Sequence, residues 1–376
     1  MKRYIFLLMF CLFSMKLFSQ GKEAIIIGKD LQNKYQKTLR LVGVCNEKYY
    51  PNFRGDSSSI KNNQYFFTIS GFTDDIPRPF YFLMETEKHK VYKTSEIFYI
   101  SQGTQKIGFT YEDGKITGSE KNNLYKDIDR FKADMESYSS QKKHLYQIEG
   151  DIYKRKNFKV EQKTKDSLQK LYAELDSYEE NLLLNLSKKT PASYMLFWKL
   201  VQKFEANGFK QIYFQAFNNL DSSVRTSSIG LIFSEELKKG SQIAEGNLFP
   251  ELILKGEKVQ SSFGKSYTII DFWFSHCGPC IEQMPKYREI YSKYKDKGFE
   301  IINISTDRTK DIASWKKMIK EKELQWIHYL DENGEKSRYY NINTFPTNFL
   351  LDSSGKIIKK DISLADLDAF LGNALQ

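Results

Sequence analysis

The sequence predicts a C-terminal α/β domain preceded by a small β-sandwich or barrel and a helical segment. Three patterns carry that expectation. From about 20 to 119, short runs rich in β-branched and aromatic residues are punctuated by turn signals. From about 120 to 240, apolar residues recur at helical spacing in long charged segments. From 241 to 376, strand-length apolar runs alternate with amphipathic helical ones. At 376 residues the chain is too long for one ordinary domain, and a distinct stretch at 1–19 stands before the first of the three segments.

That stretch opens "MKRYIFLLMFCLFSMKLFSQ". Lys2 and Arg3 form a short basic region, and Tyr4 to Phe13 is an apolar run too short to span a bilayer comfortably. Ser19 supplies a small residue where a signal peptidase could cut. Residues 1–19 therefore read as a secretory signal peptide, with an uncleaved anchor as the other reading. Cys11 would leave with it; the bulky Phe10 before it argues against lipid acylation there. No later stretch is apolar enough to cross a membrane. The formal charge of +10 falls to +7 once Lys2, Arg3 and Lys16 are removed. The remaining lysines are scattered rather than gathered on one motif, so nucleic-acid binding is not implied.

Strands are expected at "AIIIG", "TLRLVGV", "YFFTISG", "PFYFLME" and "QKIGFTYE", with turns at "NN", "DDIPRP" and "EDGK". Cys45 lies in "LRLVGVCNE", where alternation puts Leu39, Leu41, Gly43 and Cys45 on one face, a small hydrophobe in a core, with a resolving thiol or intermolecular bridge as the other reading. Helices are expected over "LYKDIDRFKADMESYSSQKKHLYQIEGDIYKRK" and "KDSLQKLYAELDSYEENLLLNLSKK". In the second, Leu168, Leu171, Leu175, Leu182 and Leu186 form the apolar stripe. "TPASYMLFWKLVQKF" starts with a Thr cap followed by Pro, and "LDSSVRTSSIGLIFSEELKK" is a further helix. No internal repeat is visible.

"KKGSQIAEGN" resets the chain near 240. "SYTIIDFWF" reads as a buried strand. The helix after it starts near two cysteines and ends at "KYKDKG", with Lys in the last turn and Gly298 as the stop. "FEIINIST" is a second buried strand and "DIASWKKMIKEKE" a second helix. "TNFLLDSSGKIIKKDI" is two strands joined by a turn at Asp352 and Gly355, and "LADLDAFLGNAL" a closing helix. This order is an α/β layout.

The chemistry lies in "FSHCGPCIEQMP". A pair of cysteines two residues apart can grip a metal, lock a loop or trade electrons. Export favours oxidised thiols and a redox pair. A structural zinc site wants four ligands, and no second CxxC or CxxH exists among Cys45, Cys277, Cys280, His89, His144, His276 and His328. A structural disulfide across four residues closes too small a loop to stabilise much. Redox exchange is the reading left standing. At the first turn of a helix Cys277 faces unpaired backbone N–H groups, which favour thiolate over thiol. Cys280, one turn inward and less exposed, can close the disulfide and resolve a mixed disulfide formed at Cys277. No metal and no cofactor beyond that redox-active pair is expected.

"IIDFWFSHCGPCIEQMP" resembles thioredoxin-fold oxidoreductases, and most closely the exported TlpA/ResA-like group. The resemblance covers roughly 240–376 and takes in "GNLFPEL", "DFW", Pro285, "NTFPTNFLLD" and "DSSGKII". More loosely, "KIGFTYEDGKITGSEKNNLY" and the helical run after it are similar to the N-terminal extension, of undefined role, often attached to such proteins. The resemblance implies that Cys277 attacks, Cys280 resolves, and Pro346 is a cis-proline opposite them, turning the Phe345 and Thr347 backbone toward the substrate. Asp271, six residues before Cys277, matches the buried acid. Desolvation should raise its pKa, so that it can take and return the Cys280 proton. Trp273, His276, Gly278, Pro279, Phe345, Pro346 and Thr347 are the expected substrate contacts.

Two positions depart from the pattern. His276 stands where Trp is usual; it either favours the Cys277 thiolate as an imidazolium or shapes the rim. Gln283 replaces an acid of the ResA-like proteins, which leaves Asp271 as the proton carrier. Three rivals remain: a thiol peroxidase, whose Pro-x-x-x-Thr stretch is absent, a copper carrier using Cys277, Cys280 and His328, and a partner-binding protein whose N-terminal part does the main work. The expected partners are protein thiols and disulfides of the periplasm or cell envelope, and a membrane or envelope redox partner.

Overall fold

The computed structural model describes residues 22–30, 38–51, 53, 55–60, 62, 64–72, 76–85, 92–109, 115–117, 123–156 and 159–376. The expected signal peptide at 1–19, His89 and most of the "EDGK" turn lie outside them. The chain divides into two compact units, Met1–Val201 with Ala216–Ile232, and Gln202–Gln215 with Phe233–Gln376. Among the described residues no helix is long and apolar enough to cross a membrane.

The first unit begins with nine described strands: β1 (Lys22–Asp30), β2 (Thr38–Gly43), β3 (Asp56–Ser59), β4 (Gln64–Phe72), β5 (Arg78–Glu85), β6 (Tyr92–Thr94), β7 (Phe98–Ile100), β8 (Gly103–Phe109) and β9 (Ile116–Thr117). They form one sheet in the order β4-β1-β8-β9 and a second in the order β3-β2-β5-β6, with β7 also on β5. Period-two alternation sets the inner faces. Ala24 and Ile26, Leu39 and Leu41, Tyr65 and Phe67, and Phe80 and Phe82 are buried, while Ile27 after the first pair and Phe66 within the third point out. Tyr65 and Phe67 of one sheet meet Phe82 of the other with ring centroids 5.2 and 5.9 Å apart, so the two sheets share an aromatic core. The arrangement is the expected sandwich. Cys45 is buried, in a bend just after β2 rather than on the strand. The Tyr50 hydroxyl accepts from the Val44 and Cys45 backbone N–H groups at 2.9 and 3.2 Å, which turns the chain there.

The helices are α1 (Asn123–Asp134), α2 (Glu136–Arg155), α3 (Gln162–Lys189), α4 (Tyr194–Asn207), α5 (Gln211–Asn219), α6 (Ser222–Arg225) and α7 (Ser228–Ser241). The sequence reading needs four corrections here. The first long run breaks at Met135 into α1 and α2. The buried stripe of α3 runs through Leu168, Leu175, Glu179, Leu183 and Leu186; Leu171 is 44% exposed and Leu182 only half-buried. Three consecutive leucines, 182 to 184, leave the phase of the stripe ambiguous from spacing alone. Thr190 ends α3, its hydroxyl donating back to the Leu186 carbonyl at 3.0 Å, and Ser193 caps α4 through the Leu196 N–H at 3.2 Å. Lastly, "LDSSVRTSSIGLIF" is two helices. Asp221 caps α6, and the Thr226 and Ser227 hydroxyls bond back to the Ser222 and Val224 carbonyls at 2.8 and 2.7 Å, competing with the helical ladder.

The second unit is built on β12 (Tyr267–Trp273), β13 (Phe299–Ser305), β14 (Ile327–Leu330), β15 (Thr347–Asp352) and β16 (Ile357–Lys360), after a short hairpin of β10 (Ile253–Leu254) and β11 (Glu257–Lys258). The five strands order as β14-β13-β12-β15-β16. β12, β13 and β14 run parallel; β15 is antiparallel to β12, and β16 is antiparallel to β15. Four helices complete it: α8 (Gly278–Tyr294), α9 (Ile312–Glu321), α10 (Glu335–Tyr339) and α11 (Leu364–Ala374). β14 escapes the sequence reading because "QWIHYL" is short and carries a His between apolar residues. Met284, Tyr287 and Ile290 of α8 and Leu367 and Leu371 of α11 pack with Ile269, Trp273 and Ile301 on one face of the sheet. Ile270, Phe272, Ile302 and Phe349 face the other way, against Phe249, Leu252 and Val259. α8 runs on into a 3-10 turn, Lys295–Lys297, and the helical run stops where expected, at Gly298 with φ 90, a conformation that a side chain would disfavour.

Ser363 caps α11: its oxygen accepts from the Asp366 N–H at 3.1 Å and its hydroxyl donates to the Asp366 carboxylate at 2.6 Å. Ser363→Ala should cost about 1 kcal/mol, read as a lowered urea midpoint with an unchanged slope.

Candidate active site

β12 has a partner on each side, so it is buried along its length. Alternation turns Ile269, Asp271 and Trp273 toward α8. A tight turn then carries the chain from Phe274 to Cys277, closed by the Cys277 N–H donating to the Phe274 carbonyl at 3.0 Å. Cys277 is the N-cap residue of α8, and Pro279 stands in the first turn, where its missing N–H costs nothing. The Cys277 sulfur accepts the Cys280 N–H at 3.3 Å. The two sulfurs are bonded to each other, with Cα atoms 5.3 Å apart.

The turn is anchored from beneath. The buried Asp307 carboxylate accepts the Ser275 N–H at 2.9 Å, the Ser275 hydroxyl at 2.6 Å and the Ser305 hydroxyl at 2.6 Å. Asp307 thus fixes the backbone two residues before the Cys277 sulfur. Asp307→Ala would strand those buried donors and should cost on the order of 3 kcal/mol, seen as a lowered thermal midpoint of the disulfide form.

Asp271 is 3% exposed. The Asn303 amide donates to Oδ2 at 2.7 Å, while Oδ1 has no hydrogen-bond partner among the described residues. Trp326 donates in turn to the Asn303 amide oxygen. Burial pushes the Asp271 carboxyl up to about 8; the Asn303 bond opposes this and the Asp361 charge adds to it. At neutral pH the group is therefore mostly protonated, on the sheet face that packs against α8.

The other expected residues divide. His276, Gly278 and Pro279 are exposed around the disulfide, and Phe345 and Pro346 are half-buried. The Phe345–Pro346 peptide is cis. His276 is 63% exposed, and its Nε2 lies 3.7 Å from the Asp311 carboxylate on the rim. Three expectations are corrected. Trp273 is fully buried in the α8-side cluster and offers the substrate no surface. Thr347 is buried too, its hydroxyl donating to the Thr344 carbonyl at 2.8 Å. Cys277 is no more exposed than Cys280, each at 3%, because the bonded pair sits on the apolar cluster under Phe274 and Phe345. Sequence reasoning missed Asn303 and Asp307. The one uncharged polar side chain inside "FEIINI", and a lone acid just past that strand, are the signals that could have found them.

A cleft of about 580 Å³ opens beside the disulfide, lined by Phe274, His276, Arg308, Asp311, Arg338 and Phe345 among others. Among the described residues no group of His, Cys, Asp or Glu is arranged to hold a metal ion. His328 instead stacks on Trp326 with its Nε2 3.4 Å from the Leu324 carbonyl, and burial pushes it down to about 4.

A central mixed sheet, a disulfide at the N-terminus of the helix after its middle strand and a cis-proline at the start of an adjacent one define a thioredoxin-like domain. A family model described as Redoxin matches residues 240–366. Thiol-disulfide oxidoreductase ResA of Bacillus thuringiensis subsp. konkukian is 38% identical over 108 residues, 28% of this chain and 61% of that protein. Sporulation thiol-disulfide oxidoreductase A of Bacillus subtilis is 28% identical over 112 residues, 29% of this chain and 67% of that protein. The chain thus spans about three-fifths of the length of the first of these relatives. A solved thioredoxin domain of a thiol-disulfide oxidoreductase from Bacteroides vulgatus is 32% identical, covering 35% of this chain and 99% of that one, with a TM-score of 0.32.

Proposed function

We propose that the chain is an exported thiol–disulfide oxidoreductase acting on protein substrates. The observation that carries this is the Cys277 sulfur at the N-cap of α8, accepting a backbone N–H. An N–H aimed at sulfur, together with the helix dipole, stabilises the thiolate form. In the reduced protein the Cys277 thiolate attacks one sulfur of a substrate disulfide. An S–S bond forms between them, and the other substrate sulfur leaves as a thiolate. The ionised fraction of Asp271, the minor form at neutral pH, takes the Cys280 proton, and the Cys280 thiolate attacks Cys277; the mixed disulfide breaks, the substrate's second thiolate leaves, and the Cys277–Cys280 bond forms. The substrate has gained two electrons and the protein has lost them. An envelope dithiol partner returns them by the reverse exchange.

Residues 1–19 act as the export signal in this reading, and 20–119 and 120–240 form the β and helical parts ahead of the redox domain at 241–376. His276, Gly278, Pro279, Phe345 and Pro346 surround the sulfurs as the substrate-contacting rim. The test is reduction of insulin disulfides by the purified chain with dithiothreitol as electron donor, followed as turbidity. A rate no faster than dithiothreitol alone would defeat the proposal.

A further inference from the structure

We infer that the cleft beside the disulfide selects substrates carrying carboxylates a few residues from their reactive cysteine. This rests on the thiol exchange proposed above and goes on to name the substrate class. The cleft lining has two chemistries. Phe274 and Phe345 stand edge to face with ring centroids 5.6 Å apart, packed on the cluster that holds Cys277 and Cys280. Arg308, Lys310 and Arg338, all exposed, line the same cleft.

The chain is basic overall, so cations on a surface need a closer look; what matters is whether they are neutralised. Two carboxylates line the cleft. Asp307 is buried and taken up by Ser275 and Ser305. Asp311 faces His276 at 3.7 Å. Neither Arg308 nor Lys310 has an ion-pair partner among the described residues. Arg338 donates to the Asn333 carbonyl, and Asn333 is itself tied to Thr309 by bonds of 3.1 and 3.2 Å. That guanidinium is held in place before any ligand arrives, which lowers the ordering cost of binding. An extended peptide advances about 3.3 Å per residue. With its cysteine at the disulfide beside the aromatic pair, side chains a few residues away lie over the cationic lining of the cleft. Acids there gain from the local field in encounter rate and orientation, and lysines are repelled.

The experiment uses the full reduced chain and two synthetic peptides. Each carries one cysteine as a mixed disulfide with thionitrobenzoate, followed by glutamates or by lysines. Release of the yellow thiolate gives the rate. The expected result is reaction about tenfold faster with the glutamate peptide at low salt, with the ratio shrinking toward one at high salt. In the double variant Arg308→Glu, Arg338→Glu the ratio should fall below one. Because the readout is a ratio within one preparation, partial misfolding does not imitate it. Equal rates for both peptides in the unmodified chain overturn the acidic preference while leaving thiol exchange intact. No reaction with either peptide overturns the exchange reading itself. A ratio unmoved by the double variant also overturns the assignment to this cleft.

Discussion

Cys277→Ser is expected to reduce insulin-reducing activity to the dithiothreitol background, whereas Cys280→Ser should keep the first step and lose the second. The asymmetry comes from position. The Cys277 sulfur caps α8 and accepts an N–H; Cys280 lies inside the first turn and has only its neighbour to attack. A serine hydroxyl at 277 cannot ionise near neutral pH, so the attacking anion is gone. Without the Cys280 thiol, the mixed disulfide formed at Cys277 has no internal way out and persists as a covalent adduct. Two measurements separate these outcomes: turbidity for the first variant, and non-reducing electrophoresis of the second after incubation with a disulfide substrate. Alkylation of the reduced chain should half-saturate one or more pH units below the free-cysteine value of about 8.5. Full activity in Cys277→Ser would remove the mechanism, and a half-saturation pH at the free value would remove the role of the cap.

Legibility in the sequence followed physical locality. The strand, cysteine pair and helix are contiguous, so periodicity, a Gly-Pro turn and a helix stop at Gly298 were enough to lay out β12 and α8. The raised acid was also readable, because Asp271 interrupts a run of apolar residues and must be desolvated with them. What failed depends on partners distant in the chain. That Trp273 lies wholly beneath the site follows from α8 folding over it, and no local pattern distinguishes an aromatic under a sulfur from one beside it. Asp307 meets Ser275 across 32 residues and Asn303 meets Asp271 across the same interval; both pairs exist because β12 and β13 run parallel in register. In the helical segment the error was one of phase: Leu182 to Leu184 fit either stripe, and the sandwich and helices around them decide.

Asp271→Asn is expected to stabilise the protein by several kcal/mol at alkaline pH and to slow the resolving step. The sign follows from linkage. The folded-state pKa of Asp271 is raised from 3.8 to about 8. Between those values the folded chain keeps a proton that the unfolded chain has released, so stability falls as pH rises from about 4 to about 8. Below about 4 the contribution is fully present. Four units at about 1.4 kcal/mol each put the loss on the order of 5 kcal/mol, a large share of a domain's stability. Asparagine carries no charge at any pH, and its oxygen can still accept from Asn303, so the slope should vanish. Urea unfolding at pH 5, 7 and 9 measures it: the curves of the two proteins should diverge with pH, the variant ending the more stable. The same neutrality removes the acceptor for the Cys280 proton. Resolution of a preformed mixed disulfide should slow by on the order of 10²-fold at pH 7, with the deficit shrinking above pH 9 as Cys280 ionises unaided. Alkylation of Cys277 should change little, which separates proton transfer from damage to the site. Parallel stability slopes would mean that folding leaves the Asp271 pKa at its ordinary value, too weak a base to take the Cys280 proton, and its part in the exchange would have to be abandoned.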